Sequence, residues 1–302
     1  MTESPAMLLS EPALGALCAA GSALSWALTG LLVRSLAPAF NSVTLNAVRS
    51  TVGGGLILVW VLATGGLAGL TAMSGKAFVL LAISVFVAVG LGDTVFFEST
   101  RDLGLARAMT VSMSYPMISA LLAAVFLGER LTLRLAAGSL VALGGLVLTV
   151  TTAAPPSKAA HERFWRGVGA ATLASLAWAV SVILLKPSLE EVDAIQAQAV
   201  RLPVAAALLW VTPWAWGAGT PLRRHGSDAA WRFLALGGLT AISSIMFVAG
   251  IRHAGVAVAT VLSSTAPMFA IPLGLAFLGE RVAAAAIVGT IVTVIGIAVL
   301  QL

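Results

Sequence analysis

The chain has 302 residues, 59% of them hydrophobic and only 10% charged, with a mean hydropathy of +1.03. Ordinary globular chains carry about 25% charged residues, so a water-soluble fold would leave far too much apolar surface uncovered. The net charge of +5 comes from scattered lysines and arginines, which suits lipid headgroups and not a nucleic-acid reader, since that would need a contiguous basic face.

Ten predominantly apolar runs of membrane-spanning length follow one another: 13–35, 41–63, 76–98, 104–126, 132–152, 165–187, 194–216, 230–250, 255–278 and 282–301. Helices are expected, because lipid cannot satisfy open strand edges. Residues 1–12 contain Glu3 and Glu11 and no basic residue, and the first run is too long for a signal core, so no cleavable signal is expected. The sole cysteine, Cys18, rules out a disulfide framework. The connections are too short for a soluble catalytic domain.

The runs form two matched sets. Ser112-Met-Ser-Tyr115-Pro116 through Phe126-Leu-Gly-Glu-Arg130 returns as Ser263-Ser-Thr265-Ala-Pro267 through Phe277-Leu-Gly-Glu-Arg281. Trp26 matches Trp178, Arg49 matches Arg201, Gly104 matches Gly255, and Gly138 and Gly145 match Gly289 and Gly296. The chain therefore divides into a first repeat, 1–152, a Pro-bearing linker, 153–163, and a second repeat, 164–302. An odd number of spans per repeat makes the second enter the membrane from the opposite side. The expected fold is thus an all-α integral membrane protein of ten transmembrane helices in two inverted five-helix repeats, with a site between them near the midplane.

Candidate site residues follow from what is costly in lipid. Pro116 and Pro267 remove a backbone donor inside apolar runs, and Ser112, Ser114, Ser263, Ser264 and Thr265 can either satisfy the freed carbonyls or bind substrate. Trp26 and Trp178 lie near mid-depth, where the indole N–H needs a partner. They line a cavity or pack between helices, and Phe96, Phe97, Tyr115 and Phe247 can join the same wall. Trp60, Trp165, Trp210, Trp214, Trp216 and Trp231 fit an interfacial belt. Arg49 and Asp93 fall at similar depth below one surface, so they form an ion pair, or Asp93 is a proton or cation site. Glu98 lies nearer the surface. Arg201 repeats Arg49, but the position matching Asp93 is Ser244. Arg201 then either snorkels toward Glu190, Glu191 or Asp193 or binds a substrate carboxylate. The Gly-Glu-Arg turns suit a helix C-cap followed by a glutamate at the next helix start. Small residues four apart in the last run of each half allow close helix packing.

With these doubled prolines, Gly-Glu-Arg turns and tryptophans, the chain resembles the EamA group of the drug/metabolite transporter superfamily along nearly its whole length. The resemblance implies a bacterial inner-membrane, multi-pass exporter of small metabolites such as amino acids, with cytoplasmic termini. Counting loop lysines and arginines favours the opposite orientation, ten against five. The expected activity is alternating-access transport of a small, partly apolar solute, coupled to protons through Asp93 or Glu98. A channel or a lipid-acting membrane enzyme is the alternative. No cofactor, metal or nucleic-acid partner is expected, His161, His225 and His253 being scattered. Monomer and homodimer both fit.

Overall fold

The computed structural model describes residues 10–126, 133–151, 158–216 and 226–301. Every regular element among them is helical. The first half contains α1 (Glu11–Leu36), α2 (Ser42–Ala63), a short α3 (Leu67–Thr71) and α4 (Gly75–Val85). A π-helical stretch, Phe86–Asp93, joins α4 to α5 (Thr94–Leu103), and α6 (Leu105–Ser112), α7 (Tyr115–Phe126) and α8 (Leu133–Thr151) follow. The second half contains α9 (Lys158–Leu185), continued by a 3-10 turn, then α10 (Ala194–Val211), α11 (Gly226–Ser263), α12 (Ala266–Phe277) and α13 (Ala284–Gln301).

Among the described residues, seven helical stretches are long and apolar enough to cross a membrane: Glu11–Leu36, Ser42–Ala63, Gly75–Leu103, Lys158–Glu190, Ala194–Val211, Ala230–Val256 and Val258–Phe277. The sequence suggested ten. Run 104–126 is divided into α6 and α7, and α8 and α13 offer shorter apolar segments, Leu140–Thr149 and Ala284–Val299. Of the linker, Lys158–Arg163 already belongs to α9, and 153–157 lie outside the described residues.

Local chemistry sets the helix ends. Asn41 and Ser74 accept from Thr44 N and Ala77 N, and Asp193 forms a capping box with Gln196. Gly104 (φ +80°) separates α5 from α6, and Gly255 (φ +83°) breaks α11 at the matching place, a conformation that suits glycine alone. The two prolines do not kink helix interiors as the sequence suggested. Each stands second in a new helix, α7 or α12, where a missing N–H costs nothing. The hydroxyls before them close the preceding helix: Ser112 donates to Ala108 O (2.8 Å), Ser114 to Val111 O (2.7 Å), Ser264 to Thr260 O (2.7 Å) and Thr265 to Leu262 O (2.7 Å).

The halves interlock. α1 lies along α11, α9 along α5 and the π-helical stretch, α2 against α10, and α8 against α13. Two matched pairs, α2 with α10 and α8 with α13, run antiparallel. Thr44, early in α2, donates to Ala215 O just beyond α10, whereas Ile57 and Val61 pack with Ala199 and Leu202. Thr149, late in α8, faces Ala286, and Ala142 faces Thr293. Glycine allows this last approach: a Cβ on Gly145 would lie 2.4 Å from Thr293 N, and one on Gly289 would lie 2.7 Å from Gly145 O.

Candidate functional site

A cavity of about 140 Å³ lies between the halves, walled by α1, α2, the π-helical stretch, α7, α9, α10 and α11. Its polar wall begins with Arg49, 2% exposed. Arg49 donates Nε to Asn46 Oδ1 (2.8 Å) and Nη1 to Thr240 Oγ1 (3.3 Å), and pairs through Nη2 with Asp93. Its guanidinium lies 5.5 Å from the Trp26 ring centre and 5.1 Å from that of Phe97, within cation–π range. The other Asp93 oxygen accepts from Trp178 Nε1 at 2.8 Å. Thus one carboxylate is shared between an arginine of the first half and a tryptophan of the second.

Backbone geometry makes this possible. The π-helical stretch ends at Asp93, and its Val89 carbonyl accepts from the Asn46 side-chain amide, which also donates to Thr94 Oγ1 (2.8 Å). Gly92 lets the indole come close, since a Cβ there would stand 2.8 Å from Trp178 Nε1.

An aromatic cluster contributes part of the apolar wall. Trp26 stacks on Phe96 (5.7 Å) and meets Trp178 edge-on (5.8 Å), and Tyr115 meets Trp178 edge-on (6.2 Å). Tyr115 and Ser263 hydroxyls, 2.7 Å apart, tie the two proline segments together at the cavity edge.

Of the residues singled out from the sequence, Trp26, Arg49, Asp93, Tyr115, Trp178, Arg201, Phe247 and Ser263 line the cavity. Phe97 backs Trp26 from behind. Ser112, Pro116 and Pro267 are buried away from it, and Thr265 stands before α12 with its hydroxyl turned back to Leu262 O. Glu98 is exposed beside Arg101 (3.9 Å). Arg201 is 6% exposed, donates to Ser181 Oγ (3.3 Å) and makes no ion pair with Glu190, Glu191 or Asp193 among the described residues. The sequence reading missed Gln198, Thr240 and Ser181. Gln198 carried a usable signal: an uncharged amide in an apolar run, three residues before Arg201 and so on its face.

The second Gly-Glu-Arg turn also differs from expectation. Gly279 (φ +62°) ends its helix, but the Glu280 carboxylate reaches the first half, accepting from Leu105 N (2.7 Å) and Ala106 N (3.4 Å) at the start of α6. The first turn, 128–130, lies outside the described residues.

A single family description, the EamA-like transporter family, matches residues 13–151 and again residues 165–302. The chain belongs to this family. It is a multi-pass membrane transporter of the drug/metabolite transporter superfamily. An uncharacterized transporter of Archaeoglobus fulgidus is 25% identical over 93% of this EamA-like chain and 95% of its own length. The uncharacterized transporter YvbV of Bacillus subtilis is 32% identical over 49% of the chain, and the match spans about half (48%) of that relative. A solved crystal structure superposes with a TM-score of 0.67 at 20% identity, covering 94% of each chain, which is a likeness of fold.

Proposed function

We propose that this EamA-like protein is a secondary carrier working by alternating access between two inverted five-helix repeats, with ten spans in all. Its cargo is a small, partly apolar metabolite, with amino acids as the type the family resemblance suggests, moved outward across a bacterial inner membrane. The observation carrying this reading is the cavity itself: both halves build it, charges and aromatics line it, and antiparallel matched helices flank it. Asp93 is the coupling group in this reading, because its carboxylate joins the halves. Proteoliposome flux tests it. A carrier gives saturable uptake and counterflow, and Asp93→Asn flattens the pH dependence. Flux without saturation or counterflow would indicate a channel, and unchanged pH dependence would remove Asp93 from coupling.

A further inference from the structure

Arg49, Asp93 and Arg201 are the charged side chains on the cavity wall, and the two arginines are not equivalent. Arg49 has a counterion, two further acceptors and two aromatic faces. Arg201 has one hydrogen bond at the long end of the range, to Ser181, while its Nε is shut off from water without a partner. No carboxylate lies within ion-pair distance of it among the described residues, and Asp93, which acts on it from farther off, is already paired with Arg49. Ser244, standing where Asp93 stands in the other half, turns its hydroxyl back to Ala241 O (3.1 Å). One turn before Arg201, the buried Gln198 donates Nε2 to Ser244 O (3.0 Å), which leaves its Oε1 enclosed and unpartnered.

The wall therefore carries one positive charge in excess, on a side chain with unused donors beside an unused acceptor. A buried cation without a counterion is costly, and a ligand that brings the missing charge removes that cost on binding.

We propose, building on the carrier reading but replacing amino acids as its cargo, that the solute is a small monocarboxylate held by its carboxyl group on Arg201. The planar guanidinium fork matches a carboxylate, and a monoanion leaves the filled cavity neutral. A zwitterion leaves the excess charge in place, and a cation doubles it. Gln198 Oε1 accepts from a hydroxyl beside the carboxyl. The apolar body lies against Trp26, Tyr115, Trp178 and Phe247. A void of about 150 Å³ takes one benzene ring, so a cavity of about 140 Å³ that is open on one side suits a small body, on the scale of one ring or a short branched chain.

Calorimetry on the full chain in detergent at pH 8, where the acids are ionised, tests this with benzoate and 2-hydroxy-4-methylpentanoate. Leucine and leucinol supply the zwitterion and the cation with a similar body, and nitrate supplies a bare anion. The carboxylates are expected to bind at least about tenfold more tightly than leucine, leucinol or nitrate. Arg201→Gln loses about that factor and Arg201→Lys retains part of it. Both variants are checked for a monodisperse, cooperative melt, and Arg201→Lys decides if the glutamine variant does not fold. Leucine or nitrate binding as tightly as the acids overturns the proposal, as does full carboxylate affinity without Arg201. In proteoliposomes, counterflow of leucine or leucinol without counterflow of the hydroxy acid overturns it and leaves the carrier standing. Absence of counterflow for every solute removes the carrier reading and the proposal with it.

Discussion

Arg49→Gln withdraws the cation that holds Asp93. The carboxylate keeps a single bond, from Trp178 Nε1, and Asn46 Oδ1 and Thr240 Oγ1 each lose a donor. Removing one partner of a buried ion pair costs about 3–5 kcal/mol, and the lost contact with the Trp26 and Phe97 faces adds about 0.5–2 kcal/mol. Asp93→Asn spares the Trp178 bond but leaves Arg49 uncompensated, so its cost falls in the same 3–5 kcal/mol range. With both substitutions together neither member of this pair is left stranded by the loss of the other. The double variant is expected to recover at least about 2 kcal/mol relative to the sum of the singles. Denaturant unfolding in detergent micelles, run as a double-mutant cycle, measures this. Single variants within about 1 kcal/mol of the parent, or a strictly additive double variant, would refute the account of this pair as the link that holds the cavity wall.

Three further outcomes follow from the geometry. Gly289→Ala puts a methyl group 2.4 Å from Thr149 Oγ1 and 2.7 Å from backbone, so overpacking between α8 and α13 should cost about 1–3 kcal/mol in a melt. Gly144→Ala, with open space at its Cβ, is the control. Glu280→Ala removes the acceptor at the start of α6 and should cost about 1 kcal/mol, the usual worth of a helix N-cap; an unchanged melt would mean that water replaces it. Ser74 N–H and Oγ–H, and more weakly Lys76, hold the Glu191 carboxyl below its ordinary value. Its folded value being the lower one, this contact stabilises above the unfolded value of about 4.3 and is lost as pH falls through the folded value. Below about pH 4 the melting temperature of the parent should fall more steeply than that of Glu191→Gln.

Much of the scaffold was legible because its signals are chemical and repeated. A tryptophan, an arginine and a proline segment recurring in order announced the duplication, and residue counts along the helices placed Arg49 and Asp93 at one depth. What stayed hidden depends on contacts between distant segments. Nothing in Pro116 or Pro267 distinguishes a kinked interior from a helix start. Glu280 reads as a cap for the helix beside it, but the turn of the chain at Gly279 delivers it to α6. Thr240 and Ser181 look like any hydroxyl closing on its own helix. They become site residues only because α9, α10 and α11 meet α1, α2 and the π-helical stretch around one cavity.

The widened turn at Phe86–Asp93 has a consequence for the whole molecule. Trp26 and Trp178, like Arg49 and Arg201, are 152 positions apart, whereas Gly104 and Gly255, like Pro116 and Pro267, are 151 apart. The surplus residue falls between Arg49 and Gly104, an interval that holds both the α2–α4 connection and the π-helical stretch, and α11 runs as ordinary helix where the first half has the π-turn. The stretch winds differently from α11 and ends at Asp93, whose carboxylate meets both Arg49 and Trp178. Excising a single residue from 86–92 would let the helix close up and swing that carboxylate off its partners, with no charge removed and the hydropathy profile intact.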